Sequence, residues 1–346
     1  MKENINSDRK NCTQPVVPVR VFNDGVSPNR AGFILASDKK WANGTLLTFA
    51  FLEGNEGDKD VVRKAFKTWK DLGINLAFKE VTPSSDPTIR IGFDVRDGSW
   101  SYVGRDVLTI SKNERTMNFG WRLTGDSYGM TTAIHEIGHT LGLQHEHQNP
   151  NAGILWNTPK VISYFSGPPN NWDRPTIDHN ILNKLAPNSI QASNWDPDSI
   201  MHYSFDKGLI QAPEKYQSGV FPPGTLSPRD IDNIRKAYPP VIVAKVVRLS
   251  PNKSAVIKAA SGDQNDFYFT APLTRKYNFQ TYGELDTVMV IFEKGPKQEY
   301  YLSGDDDSGV EKNSKIRLPC VKGRRYRINV RVLYSPGPDA GGIIVA

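Results

Sequence analysis

Only two cysteines, Cys12 and Cys320, occur in 346 residues. That is too few for a disulfide scaffold, and their separation leaves open whether they pair. Long apolar runs are also missing, so no segment reaches the ~20 residues needed to span a bilayer. The opening Met1-Lys2-Glu3-Asn4-Ile5-Asn6-Ser7-Asp8 lacks the apolar stretch of a signal peptide. Either an export signal has been removed, or the protein leaves by another route or stays inside. A secreted or exported protein is the expectation, with a cytoplasmic one as the alternative. Strong charge of either sign is absent too, the formal net charge being +6. Sixteen Lys and Arg against eleven Asp and Glu after residue 240 place most of that excess late in the chain. With no nucleic-acid motif, this reads as a solvated surface, with acidic glycans or anionic surfaces as candidate partners.

Histidine is scarce as well, at six residues, yet three of the six fall within residues 135–146: His-Glu-Ile-Gly-His-Thr-Leu-Gly-Leu-Gln-His-Glu. His135 and His139 are four apart and share one helix face, so two imidazoles can converge on one ion. Glu136 is too close along the helix to join them comfortably but can reach a metal-bound water, the place of a general base. Gly142 allows a left-handed exit from the helix that delivers His145 as the third ligand. Three protein ligands leave a tetrahedral zinc one position for water, whose pKa the metal lowers to roughly 7. A bare His-Glu-x-x-His also arises by accident on amphipathic helices, but the longer pattern with Gly142 and His145 is far more restrictive. A structural zinc would want four protein ligands, and neither cysteine is near in sequence.

Downstream stands Ser199-Ile200-Met201-His202-Tyr203, and upstream Trp100-Ser101-Tyr102-Val103-Gly104-Arg105. With Glu146 directly after the third histidine, these segments resemble the astacin family of zinc endopeptidases. The resemblance implies Tyr203 as an additional zinc ligand that swings to stabilise the tetrahedral intermediate, and Met201 as an apolar floor under the metal. It further implies Glu146 as a buried carboxylate paired with the matured amino terminus. Astacins usually carry two disulfides, which this chain departs from, and their pro-segment places an Asp on the zinc. Only Phe22-Asn23-Asp24-Gly25 approaches that latency motif. Many astacins favour an acidic residue after the cut, for which Lys207 or Lys215 would be candidates, and Gln148 stands where Arg is frequent.

The length suggests two domains. Residues 1–38 read as an N-terminal leader or pro-like arm, 39–240 as an α+β zinc metalloprotease domain, and 241–346 as an all-β sandwich. Strands are expected at Leu46–Phe51, at Ile89 to Phe93 (half-buried) and at Leu108–Ile110, and helices at Asp60–Leu72, from about Met130, and at Leu226–Tyr238. Such strands suit a protease that holds an extended substrate by β-augmentation. Pro239-Pro240 marks the boundary. Beyond it, strand-like runs at Phe267–Phe269, Tyr277–Phe279, Thr287–Phe292 and Tyr326–Val332 recur between turns. Together with Leu285-Asp286-Thr287 and Asp305-Asp306-Asp307 they resemble the bacterial pre-peptidase C-terminal domain, an accessory sandwich. The three aspartates offer hard oxygen ligands for Ca2+, or form a solvated acidic turn. The expected function is zinc-dependent hydrolysis of peptide bonds in proteins by a monomer. The competing readings are a catalytically silent zinc-binding relative that engages a protein or glycan, and a zinc hydrolase acting on another bond.

Overall fold

A computed structural model describes residues 11–17, 39–185, 194–240, 247–257, 263–296, 299–305, 308–309, 313–337 and 340–346. The chain forms two compact units. Of the described residues, one takes 11–17 and most of 47–237, and the other takes 39–46, 75–77 and those from 238 onward. The second unit therefore draws in residues from before the zinc motif as well as the C-terminal part. The Asp24 latency motif lies outside the described residues.

Centred on the first unit, β1 (Leu46–Phe51), β2 (Ala77–Glu80), β3 (Ile89–Gly92), β4 (Trp100–Ser101) and β5 (Met117–Asn118) form a sheet ordered β2-β1-β3-β5-β4. The pairs β1/β3 and β3/β5 are parallel, and β4 joins the end antiparallel to β5. Helix α1 (Glu56–Asp71) starts four residues before the expected Asp60 because Asn55 caps it, accepting from the Asp58 amide. Val62, Phe66 and Trp69 form its buried stripe. The Phe66 ring stacks on Phe49 of β1, and the Trp69 indole N–H donates to the Ile134 carbonyl of the zinc helix.

Two expectations change. β3 is buried on both faces, not one, and Arg90 sits inside because its guanidinium donates to the carbonyls of Glu114, Pro87, Ile110 and Ser111. A charge fully clothed in acceptors can be buried where a bare one cannot. Leu108–Ile110 is not a strand: residues Gly104–Thr109 wind as a 3-10 helix, with the Thr109 hydroxyl donating to the Asp106 carbonyl. That local bond competes with strand pairing.

Helix α2 (Ser127–Thr140) carries the zinc motif. After it come β6 (Leu155–Trp156), α3 (Thr158–Ser166), α4 (Arg174–Ile177), β7 (Ile210–Ala212) and α5 (Pro228–Ala237), around an apolar cluster that includes Trp156, Phe165, Trp172 and Phe205.

The second unit is a β-sandwich. One sheet pairs β8 (Val247–Leu249), β10 (Gln264–Thr270), β12 (Asp286–Lys294), β13 (Glu299–Asp305) and β15 (Arg325–Tyr334), and the other pairs β9 (Ser254–Val256), β11 (Arg275–Gly283), β14 (Lys315–Cys320) and β16 (Gly341–Val345). Alternate residues from both sheets, such as Phe267, Phe269 and Ile328 against Phe279, Ile316 and Ile343, share one core. Asp305 accepts from the Ser308 amide and hydroxyl and the Lys315 amide. Its oxygens are committed to a turn, and the calcium reading gains no support; Asp306 and Asp307 lie outside the described residues. Asn43, in the glycosylation-type sequence Asn43-Gly44-Thr45, is buried with its side-chain amide donating to the Pro239 carbonyl, which leaves it closed to modification.

Candidate metal centre and active-site cleft

Asp126 caps α2 by accepting from the Tyr128 amide. Gly129 allows the helix to press onto the preceding loop, where a Cβ would run into the Leu123 carbonyl oxygen. One turn apart, the His135 and His139 rings lie 4.8 Å between centroids. The helix then ends as its glycine predicts. Gly142 adopts φ +90°, its amide donates to the His139 carbonyl at 2.8 Å, and the Leu143 amide donates to Gly138 at 3.1 Å. The reversal brings the His145 ring to 4.6 Å from His139 and 5.5 Å from His135.

Backbone carbonyls orient two of these imidazoles. His135 Nδ1–H donates to Ile200 and His139 Nδ1–H to Leu143, both at 2.8 Å. Each ring therefore turns Nε2, with its lone pair, inward. His135 Nε2 is buried with no hydrogen-bond partner, and the Nε2 atoms of His139 and His145 stand 3.1 Å apart. Burial pushes the His135 pKa down to about 4, and those of His139 and His145 well below the ordinary histidine value. Neutral imidazoles with converging lone pairs are the form in which histidine binds a metal.

A fourth donor comes from 123 residues upstream of His135. Cys12 Sγ lies 3.5 Å from His139 Nε2 and 3.5 Å from the Glu136 carboxylate. Donor atoms of Cys12, His135, His139 and His145 all fall within 4.8 Å of one another. Zinc bonds of about 2.0–2.1 Å to nitrogen and 2.3 Å to sulfur put tetrahedral ligands ~3.3–3.6 Å apart, so the donor set fits zinc. The expectation that neither cysteine is near the site is thus overturned for Cys12, because distance along the chain is no guide to distance in the fold. Both cysteines are free and buried, and they belong to different units.

Glu136 is fully buried, and burial pushes its carboxyl up to about 8. One oxygen faces Cys12 and the other, Oε1, has no hydrogen-bond partner. Tyr203 is buried beside His145, its phenol oxygen 3.4 Å from Nδ1 and donating to the Cys12 carbonyl. Met201 packs on α2 between the first two histidines: a Cβ on Gly138 would come 2.5 Å from its sulfur. Glu146 is half-buried, accepts from the Asn149 side chain and the Asp196 amide, and is pushed up to about 7 by burial. The other three histidines are absent from the donor cluster. His202 donates to its neighbour's carbonyl, and His147 donates to Asn180. Gln148 donates to the carbonyls of His179 and Asn183, bracing the segment after His145.

A cavity of about 370 Å³ opens beside Glu136 and His135. Its wall includes Trp121, Tyr164 and Phe221 with the carboxylates of Asp126 and Asp206, and among the described residues no Lys or Arg. Lys207 and Lys215 do not line it.

Besides Cys12, sequence reasoning missed Asp230. Ser227 and Asp230 form a reciprocal capping box at the start of α5: the Asp230 amide donates to the Ser227 hydroxyl and the Ser227 amide to the Asp230 carboxylate. The same carboxylate accepts from the Ile200 amide at 2.8 Å and the Ser199 hydroxyl at 2.6 Å. It therefore holds the loop whose Ile200 carbonyl orients His135. The Ser-x-x-Asp spacing before an apolar-periodic helix is the signal that would have found the cap, though not its second grip.

The model of the Astacin peptidase family matches residues 33–158. A solved structure of myroilysin is 35% identical over 60% of this chain and 98% of its own, with a TM-score of 0.56. Zinc metalloproteinase nas-8 of Caenorhabditis elegans is 26% identical over 50% of this chain, which spans only 38% of that relative. The pre-peptidase C-terminal domain of collagenase from Bacillus anthracis is a faint likeness, 15% identical over 30% of this chain at a TM-score of 0.25, and the sandwich rests on the strand pairing instead. Three histidines spaced and turned toward one point, together with the family match across the zinc helix and the myroilysin likeness, lead to one conclusion: the chain belongs to the astacin family of peptidases.

Proposed function

We propose that this protein is a zinc-dependent endopeptidase in which His135, His139 and His145 hold the metal. The observation that carries the reading is the convergence of three neutral, buried imidazoles, two of them with Nδ1–H tied to a carbonyl. When bound, zinc supplies a Lewis acid and activates water at neutral pH. Glu136 accepts a proton at its unpartnered Oε1 and delivers it to the leaving amine. The Tyr203 phenol, beside His145, donates a hydrogen bond to the oxygen of the scissile carbonyl as charge develops there. The substrate backbone lies along β4, which stands at the end of the sheet order and touches the zinc helix through Ser101 and Thr140. Met201 serves as apolar packing under the ligands, and Glu146 braces the turn beyond them.

The cleft chemistry narrows the substrate. With the Asp126 and Asp206 carboxylates and the rings of Trp121, Tyr128, Tyr164 and Phe221 in the wall, and no Lys or Arg among the described lining residues, the cleft favours basic or aromatic residues near the cut over acidic ones. No helix among the described residues is long and apolar enough to cross a membrane, and export remains the proposed fate. The basic excess in the sandwich half makes an anionic surface its candidate partner.

The test profiles cleavage of a peptide library by wild type and Glu136→Gln, with zinc content measured in both. The variant should keep its zinc and lose at least about 100-fold in kcat, the contribution typical of a positioned acid–base group. Cleavage by the variant at the wild-type rate refutes the mechanism, and a preference for acidic residues at the cut refutes the cleft reading. The silent-relative reading would be favoured by zinc retention with no cleavage by any form of the protein.

A further inference from the structure

The two outer faces of the β-sandwich are built differently. On the five-stranded sheet the cations have partners: Arg327 pairs with Asp266 and Glu299, and the Arg331 guanidinium donates to the Trp41 carbonyl. Ala42 of the same unit packs over that sheet with Val290, Phe292 and Leu333. The four-stranded sheet is the opposite case. Strands β9, β11, β14 and β16 contain no Asp or Glu. Alternation turns Tyr277, Phe279, Ile316 and Leu318 into the core and leaves Lys276, Asn278, Gln280, Lys315 and Arg317 on the outer side. Asn278 stands opposite Arg317 and Gln280 opposite Lys315, so the two cations are ~6.6–6.8 Å apart along one strand, each beside an amide. Among the described residues, the ion pairs of this unit all use Asp266, Glu293 or Glu299 of the other sheet, and none reaches Lys276, Lys315 or Arg317. Farther along the same face Tyr282 pairs with Gly342 of β16. A Cβ on Gly342 would come 2.5 Å from the phenol oxygen, so the bare glycine lets the ring lie close against the sheet while the residue stays exposed.

We infer, on the anionic-partner reading of the sandwich half and independently of the zinc site, that the outer face of the four-stranded sheet binds an acidic polysaccharide, a chain bearing carboxylates or sulfates on its sugars. Three cations with no carboxylate to neutralise them leave a positive field that an anionic chain complements. Cations alone would suit any polyanion; their neighbours select among polyanions. The side-chain amides of Asn278 and Gln280 offer both donors and acceptors to sugar hydroxyls. The Tyr282 ring offers an apolar face to the C–H side of a sugar ring, with a phenol at its tip for a hydroxyl. A lipid surface is gripped through large apolar side chains set beside the cations, and single-stranded nucleic acid through aromatic rings that stack successive bases. The four strands turn one aromatic ring outward, with Tyr277 and Phe279 committed to the core.

The test measures binding of the full-length chain to alginate, which carries carboxylates, and to dextran sulfate, with inorganic polyphosphate and phosphatidylglycerol vesicles as anions that lack a sugar chain. Wild type should bind at least one polysaccharide, and more weakly as salt is added, because exposed charges are screened. The triple variant Lys276→Gln, Lys315→Gln, Arg317→Gln should bind it at least about 10-fold more weakly, since each cation facing an anionic surface contributes about 5-fold. A second triple variant, Lys64→Gln, Lys79→Gln, Lys236→Gln, removes the same charge from exposed positions of the first unit and should bind like wild type. Tyr282→Ala should weaken polysaccharide binding and leave polyphosphate binding unchanged. All the substituted residues are exposed, so urea midpoints should match wild type. The assignment is overturned if wild type binds neither polysaccharide, if the two triple variants lose affinity equally, or if Tyr282→Ala affects polysaccharide and polyphosphate alike. Tighter binding of polyphosphate or vesicles than of both polysaccharides also overturns it, while leaving the anionic-partner reading in place. No peptide is cut in any arm, so the peptidase reading stands or falls separately.

Discussion

Replacing Asp230 by Ala tests whether the loop of residues 199–203 is held from α5. The carboxylate is buried and accepts from the Ile200 and Ser227 amides at 2.8 and 2.9 Å and from the Ser199 hydroxyl at 2.6 Å. The hydroxyl can rotate toward another acceptor; the two amides cannot. Leaving each buried donor without an acceptor costs about 1–3 kcal/mol, so the amides alone come to about 2–6 kcal/mol. Burial raises the Asp230 pKa, a sign that the ionised group opposes burial, so removing it offsets part of that loss. A net loss of about 3 kcal/mol is expected, a large share of the ~5–15 kcal/mol that keeps a domain folded. Urea unfolding followed by tryptophan fluorescence measures it, since Trp69, Trp156 and Trp172 are buried in the first unit. The loop also presents the Ile200 carbonyl to His135, so competition with a fluorescent chelator should show zinc held about 10- to 100-fold more weakly. Asp230→Asn, which keeps one acceptor oxygen, should lie between. If Asp230→Ala loses less than about 1 kcal/mol, the low end of that cost, and holds zinc like wild type, the carboxylate does not fix the loop and the reasoning is wrong.

Gly138→Ala should lower the melting temperature despite the better helix propensity of Ala, worth about 1 kcal/mol. The new methyl would meet the Met201 sulfur at 2.5 Å with the Trp69 ring at 3.3 Å beyond it, and overpacking costs about 1–3 kcal/mol; a variant as stable as wild type would show that Met201 yields freely. Lys40 gives a pH signature in the second unit. Burial and the neighbouring Arg331 lower its pKa to about 8, so between pH 8 and 10.5 the unfolded chain holds a proton the folded chain has released, and stability should rise with pH across that window. Lys40→Met should remove this rise in urea midpoints, and an unchanged slope would rule out the assigned group.

The parts of the site that sequence made legible are those governed by short-range geometry. His135, Glu136, His139, Gly142 and His145 lie within eleven residues, where helical spacing and one left-handed glycine decide their placement, and φ +90° at Gly142 is the conformation the motif demands. Strands of the sandwich were legible because alternation is local too. Illegible were the groups whose meaning depends on the far side of the fold. Arg90 reads as the polar face of a half-buried strand until Pro87, Ile110, Ser111 and Glu114 present their carbonyls to it.

Cys12 is the extreme case, because the arm around it has no periodicity and its contacts with Glu136 and His139 span 124 and 127 residues. Side chains carried by one helix and its cap are placed by local spacing, which is why His135, His139 and His145 read as a motif. A side chain brought in by a separate segment is placed by long-range contacts such as the Thr13 amide to the Ser99 carbonyl, and nothing in its sequence neighbours records them.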